Sequence, residues 1–175
     1  YVCCVDCTGH GVPGALLSII GSLLMQEIIR LNEEPSAAEL NDLLHANIVR
    51  ALRQGQEGCE NERDGMDIAT CKIHLTDGRL EYSGAHRPLY IIRTTQTDDE
   101  DLEQLKGDKY PIGGVQYKGR TPFINQTTHL NKGDKLFFFS DGFPDQFGGP
   151  GPMEKKYGPK RIRRKLIAQR NTEMS

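Results

Sequence analysis

The hydrophobic period of this chain turns from helical to two after its first sixty or so residues, and that turn orders its main helices and strands. Between Pro13 and Leu31, the residues Leu16, Ile19, Ile20, Leu23, Leu24 and Ile28 recur at helical spacing, the pattern of a long apolar helix. Almost no charge precedes Glu27 in this stretch, which predicts deep burial. Asn32 to Pro35 breaks the pattern. Ser36-Ala37-Ala38-Glu39 then reads as a capping box, with the Ser36 hydroxyl accepting the Glu39 N–H and the Glu39 carboxylate reaching back. Leu40, Leu43, Leu44, Asn47, Ile48 and Leu52 mark one face of a second helix that ends near Gly55.

After the polar loop Gln56 to Gly65 the period becomes two. Ile68, Thr70 and Lys72 alternate with Ala69, Cys71, Ile73 and Leu75. Asp77-Gly78 supplies a hairpin turn, and Leu80 and Tyr82 begin the return strand. Further strands are expected at Leu89–Arg93, within Thr121–Leu130 and at Lys135–Ser140, the most apolar of all. The acidic run Thr97–Glu103 reads as solvated, with a docking patch as its alternative. The glycines and prolines of Gly142–Pro159 read as a loop, and a basic helix closes the chain from about Lys160 to Gln169. There is no internal repeat. Helices on either side of a run of antiparallel hairpins predict an α+β sandwich in one domain spanning residues 1–175.

Composition narrows the function classes. A length of 175 residues, with 37% hydrophobic and 26% charged, suits one buried core rather than disorder. A formal charge of −2 gives no general reason to bind nucleic acid or an anionic membrane. The cluster Lys160, Arg161, Arg163, Arg164 and Lys165 is read as the outer face of the last helix, with a nucleic-acid module as the alternative. Uninterrupted apolar runs such as Leu136–Phe139 fall far short of a membrane span, and no signal peptide opens the chain. Tyr1 stands in place of an initiator Met and inside a strand-like run, so a piece of a longer polypeptide is expected. The five cysteines, an odd count, suit reduced thiols and a cytoplasmic location. Cys4 and Cys7 form a C-x-x-C with Cys59 as a conceivable third ligand, but no second pair completes a zinc site.

Two aspartates occupy the same context. Asp6 ends one apolar strand and precedes Cys7-Thr8-Gly9-His10-Gly11; Asp141 ends another and precedes Gly142. A carboxylate at the mouth of an apolar strand is costly unless it is solvated, paired or bound to a cation. Carboxylate and carbonyl oxygens without a His/Cys cage suit hard ions such as Mg²⁺ or Mn²⁺. The simpler reading is that each aspartate starts a turn.

Taken together, the fragments form a recognisable set. Asp6-Cys7-Thr8-Gly9-His10-Gly11 with Pro13-Gly14-Ala15 comes first, then Gly65-Met66-Asp67-Ile68-Ala69, Ser83-Gly84-Ala85 and Pro111-Ile112-Gly113. Last come Ser140-Asp141-Gly142-Phe143 and Asp145-Gln146. From Tyr1 to about Tyr157 the chain resembles the metal-dependent serine/threonine protein phosphatases (PPM, protein phosphatase type 2C-like). The likeness is to the bacterial branch typified by the sporulation phosphatase SpoIIE and the sigma-factor-regulating phosphatases. The resemblance implies an αββα sandwich of two antiparallel sheets flanked by helices. It also implies two Mn²⁺ or Mg²⁺ ions that activate water for in-line hydrolysis of a phosphoserine or phosphothreonine ester. By that likeness Asp6 bridges both metals, the Cys7 carbonyl is a further ligand, and Asp141 holds one metal. Cys7 stands where family members often have Gly or Val, a minor departure for a backbone ligand.

The family's acidic motif ahead of the first strand and its late aspartate have no counterpart here, so the sandwich is expected to be truncated at both ends and the fragment to have low or no activity by itself. The implied substrate is a phosphoprotein, with an anti-sigma-factor antagonist as the class. An upstream sensory or dimerisation module, a parent chain that can be membrane-tethered, and self-association through an unpaired strand edge complete the expectations. A non-catalytic PPM-like regulatory or binding domain is the alternative.

The remaining polar residues carry two readings each. His10 is a catalytic candidate that hydrogen-bonds metal-bound water or acts as an acid, or else supports the turn. Asp67 orients the site or a regulatory segment, or else caps a strand start. His86 and Arg87 contact phosphate or are solvated. Asp145 is a water-mediated ligand or a solvated loop carboxylate.

Overall fold

The structure, a computed structural model, describes residues 1–57, 63–94, 102–114, 120–148, 155–170 and 172. Strand β1 (Val2–Cys7) leads into helices α1 (Gly11–Leu31) and α2 (Ala37–Ala51). Strands β2 (Gly65–Ile73), β3 (Arg79–Ala85), β4 (Leu89–Ile92), β5 (Leu102–Leu105), β6 (Ile112–Gly113), β7 (Gln126–His129) and β8 (Lys135–Phe137) follow. The short pair β9 (Phe147–Gly148) and β10 (Lys155–Lys156) precedes α3 (Gly158–Ala168). One antiparallel sheet runs β1-β2-β3-β7 with β6 on the start of β2, and a second runs β5-β4-β8. This is the expected α+β sandwich of two antiparallel sheets with helices outside.

Side-chain alternation sorts the apolar residues of the central strands into separate seams. Met66 and Ile68 of β2 pack with Leu40, Leu44 and Ile48 of α2 and Leu17 and Ile28 of α1. The intervening Ala69 and Cys71 join Leu80, Tyr82, Leu89 and Ile91 between the two sheets. Ile92 and Leu102 close against Ile162 and Leu166 of α3 on the far side. β2 is therefore buried on both faces, as a central strand should be. The capping box at Ser36 forms as expected, with both reciprocal hydrogen bonds present.

Several expectations need correction. α1 is not deeply buried: Leu16, Ile19 and Leu23 are 54%, 56% and 60% exposed. Its apolar residues encircle the helix, and only one side finds the core. α1 is also long and apolar enough to cross a membrane by length and composition alone, which the search for uninterrupted apolar runs overlooked; here it lies against α2 and β1. The acidic run is only partly solvated, because Leu102 and Glu103 pair with β4 and Leu102 is buried. Residues 97–101 and Cys59 lie outside the described residues. The segment read as one loop contains the β9–β10 pair. Cys3, Cys4, Cys7 and Cys71 are free thiols.

Candidate metal centre

Alternation also decides where the carboxylates point. Cys3, Val5 and Cys7 of β1 pack into the helix-side seam, so Cys4 and Asp6 face the gap between the sheets. Asp67, between Met66 and Ile68, faces the same gap. The β1–β2 register sets Asp6 directly opposite Asp67. Two like charges in that relation repel. Asp141 arrives from the second sheet, just beyond β8.

The compensating charge comes from Arg87, at the crossover where the chain leaves β3 for β4 in the other sheet. Its Nη2 stands 3.2 Å from Asp6 Oδ2, 2.8 Å from Asp67 Oδ2 and 3.0 Å from Asp141 Oδ2. The Arg87 side chain is 14% exposed, and its buried Nε–H has no hydrogen-bond partner among the described residues. The crossover is held from behind: the Tyr82 hydroxyl donates to the Arg87 carbonyl. A Cβ on Gly84 would collide with both of those oxygens, so this position requires glycine. His86 adopts a left-handed conformation (φ 60) and sets its Nδ1 2.9 Å from Asp67 Oδ1.

The carboxylates differ in electrostatic setting. Burial raises the Asp6 pKa first and the Asp141 charge raises it further, against the opposing pull of Arg87. The hydrogen bond from Arg87 is the main cause of the lowered Asp141 value. Asp141 is also the more exposed of the two, at 61% against 32%. The two carboxylates are thus pushed in opposite directions, Asp6 up and Asp141 down.

The loop after Asp6 turns through Gly9 (φ 81) and Gly11 (φ 67) into α1. Thr8 fastens it to the start of β2: its N–H donates to the Gly65 carbonyl at 2.8 Å, and its hydroxyl accepts the Gly65 N–H at 2.9 Å. His10 is exposed, sits at the N-cap of α1 and makes no side-chain capping bond. With Asp6, Cys7 and the first turn of α1 it lines a cleft of about 270 Å³.

The structure thus brings Asp6 and Asp141 together on one nitrogen, and places His10 and Cys7 beside Asp6 in the adjoining cleft. Asp145 is turned away and pairs with Lys156 at 2.8 Å. Asp67 and Arg87 belong to the cluster: Asp67 takes the site-side place that was one of its two readings, whereas Arg87 is not a solvated side chain but is 14% exposed and held on three carboxylates. The signal for Asp67 was its place at the head of a strand, but only the register puts it opposite Asp6.

Among the described residues no group of three or more His, Cys, Asp or Glu side chains is arranged around a metal position, because the three carboxylates are spaced around a nitrogen. Their chemistry nevertheless fits a hard divalent cation: oxygen donors from three strand ends, aimed at one point of positive charge.

The family model of stage II sporulation protein E (SpoIIE) matches residues 1–174. No curated protein matches the chain. Among solved structures, the chain is similar to the SiaA-PP2C domain of Pseudomonas aeruginosa, with 25% identity and a TM-score of 0.75 over 95% of this chain and 60% of that one. It shares its fold with the PP2C phosphatase domain and regulatory-domain fragment of SpoIIE from Bacillus subtilis, with 16% identity and a TM-score of 0.60 over 98% of this chain and 47% of that one. It likewise shares its fold with the catalytic domain of the serine/threonine protein phosphatase PstP in complex with two manganese ions. That match has 15% identity and a TM-score of 0.55 over 81% of this chain and 66% of that one. The chain therefore spans about three-fifths of the SiaA-PP2C structure.

Proposed function

We propose, for a chain that belongs to the SpoIIE family of PP2C-type phosphatases, the hydrolysis of phosphoserine and phosphothreonine esters in proteins, dependent on Mn²⁺ or Mg²⁺. The observation that carries this reading is the convergence of Asp6 and Asp141, from two different sheets, on one cationic point. Asp6, Asp141 and the Cys7 carbonyl are the groups that would hold the metal. A bound divalent cation supplies Lewis acidity to a water and neutralises phosphate oxygens.

The chain's own residues do the rest. Asp6 and Asp141 present paired carboxylate oxygens at the rim of the sandwich, and Thr8 keeps the loop beside them in place. His10 opens onto the cleft with a side chain free of capping duty, placed to exchange a proton with the leaving seryl oxygen or with water. The open rim suits a phosphoprotein segment better than a small, fully enclosed substrate.

On the same reading, the protein acts in bacterial signalling in the cytoplasm, on a phosphorylated anti-sigma-factor antagonist, under an upstream sensory or dimerisation module. A second reading, a non-catalytic PPM-like binding domain, is favoured by one observation: Arg87 already occupies the point on which the carboxylates converge. Hydrolysis of a phosphoserine peptide by the chain with and without Mn²⁺ separates the two. Asp6→Asn or Asp141→Asn should each lower Mn²⁺-dependent turnover by roughly 10²-fold or more, with little loss of stability. Unchanged turnover in both variants would end the phosphatase reading. Metal binding without any turnover would favour the binding domain.

A further inference from the structure

Arginine normally meets carboxylates as a fork, with two parallel N–H···O bonds to one partner. Arg87 does not. One nitrogen, which carries two hydrogens, faces three carboxylate oxygens at 2.8 to 3.2 Å, while the buried Nε–H of the same side chain has no partner among the described residues. The guanidinium is being used as a point charge. A single guanidinium charge falls short of matching three carboxylates. The hydrogen-bond geometry is poorer than this side chain can achieve elsewhere.

We propose that Arg87 is a placeholder cation, one that occupies the cluster of Asp6, Asp67 and Asp141 and competes directly with the divalent ion for Asp6 and Asp141. The inference rests on the metal-dependent reading above and adds a residue and a control step to it. A divalent ion matches the charge of the cluster better than a guanidinium does. Oxygen ligands also approach Mg²⁺ at about 2.1 Å, closer than they approach a nitrogen, so the two cations cannot share the cluster in one arrangement. Metal entry requires the guanidinium to leave, and the crossover permits this. Arg87 is pinned by its backbone carbonyl through Tyr82, so the side chain can swing while the main chain stays fixed. The placeholder also accounts for the paired Asp6 and Asp67, which face each other in register and would repel in a metal-free protein lacking it.

The sign of one measurement separates this role from ordinary structural support. In the full chain, Mn²⁺ affinity is read by titration calorimetry and by the electron paramagnetic resonance of free Mn²⁺, in the parent, Arg87→Gln and Arg87→Lys. Losing the competitor should tighten Mn²⁺ binding in Arg87→Gln by roughly ten- to hundredfold, the scale of a lost charged hydrogen bond. Arg87→Lys keeps the charge and should stay near the parent. In chelator, the melting temperature of Arg87→Gln should fall below that of the parent. Added Mn²⁺ should then raise it by more than it raises the parent.

Unchanged or weaker Mn²⁺ binding in a folded Arg87→Gln, with the parent's binding abolished by Asp6→Asn, would overturn the placeholder and leave the metal site standing. Absence of binding in the parent and in Arg87→Gln alike would overturn both. Should Arg87→Gln fail to fold, tighter binding in Arg87→Lys than in the parent would also count against direct charge competition.

Discussion

Helices α1 and α2 lie side by side on the same sheet, and the more hydrophobic of the two is the less buried. In α2 the apolar residues keep to one face, and Leu40, Leu44 and Ile48 are completely buried. In α1 apolar residues surround the axis; Leu17 and Ile28 reach the core while Leu16, Ile19 and Leu23 stand more than half exposed. The pair teaches that total hydrophobicity says how much surface a helix offers for burial, whereas pattern says how much of it one sheet can take. It also divides the labour. α2 anchors the fold, and α1 carries the metal-site loop at its N-terminus, where Gly14 packs against the Gly9 carbonyl.

The largest expected effect lies in α2. Leu44→Ala removes a fully buried side chain from the helix-side seam and should destabilise the protein by about 2–5 kcal/mol in urea unfolding. Leu16→Ala, on the exposed side of α1, is the control. Equal losses at the two positions would break the contrast.

A smaller effect should separate the helices by pH. His45 of α2 accepts the Gly113 N–H through Nδ1 at 3.0 Å. Burial, and then the nearby Arg120, push its pKa down to about 4 from 6.5, against Asp42. The unfolded chain therefore takes up a proton on this residue before the folded one does. The contact contributes fully above pH 6.5, and its contribution is lost as pH falls toward about 4. Protonating Nδ1 would turn the acceptor against the Gly113 N–H, and leaving that donor unmatched costs about 1–3 kcal/mol. Urea midpoints measured across this range should fall for the parent and fall less for His45→Gln. Parallel curves for the two proteins would remove His45 as the sensor.

The same contrast marks what could be read in the sequence. The α2 cap, the period-two strands and the Asp77-Gly78 hairpin were legible because each is specified within a few residues. Asp6 and Asp141 stood out because a charge ends an apolar run. The convergence of Asp67 and Arg87 on Asp6 and Asp141 was not legible, since it depends on a register between strands some sixty residues apart and on a crossover between two sheets. β6, two residues long, was missed because two residues carry no period. The exposure of α1 escaped for the opposite reason: its local signal was strong, and burial is settled by what the rest of the fold leaves room to cover.

The smallest expected effect tests that last point. Leu16, Ile19 and Leu23 are spaced three and four residues apart, so they form one stripe along α1, on the side away from Leu17 and Ile28. Ile19→Gln with Leu23→Gln keeps good helix formers and alters only surface that is already wet. At low protein concentration the pair should shift unfolding free energy by no more than about 0.5 kcal/mol per site. At high concentration the parent should gain stability that the double variant lacks, because an exposed apolar stripe is the surface most favoured to be covered by another chain. Identical concentration behaviour in the two proteins would show that the stripe stays wet. A loss near that of Leu44→Ala at every concentration would show instead that α1 is as buried as α2, and the contrast between the helices would fall.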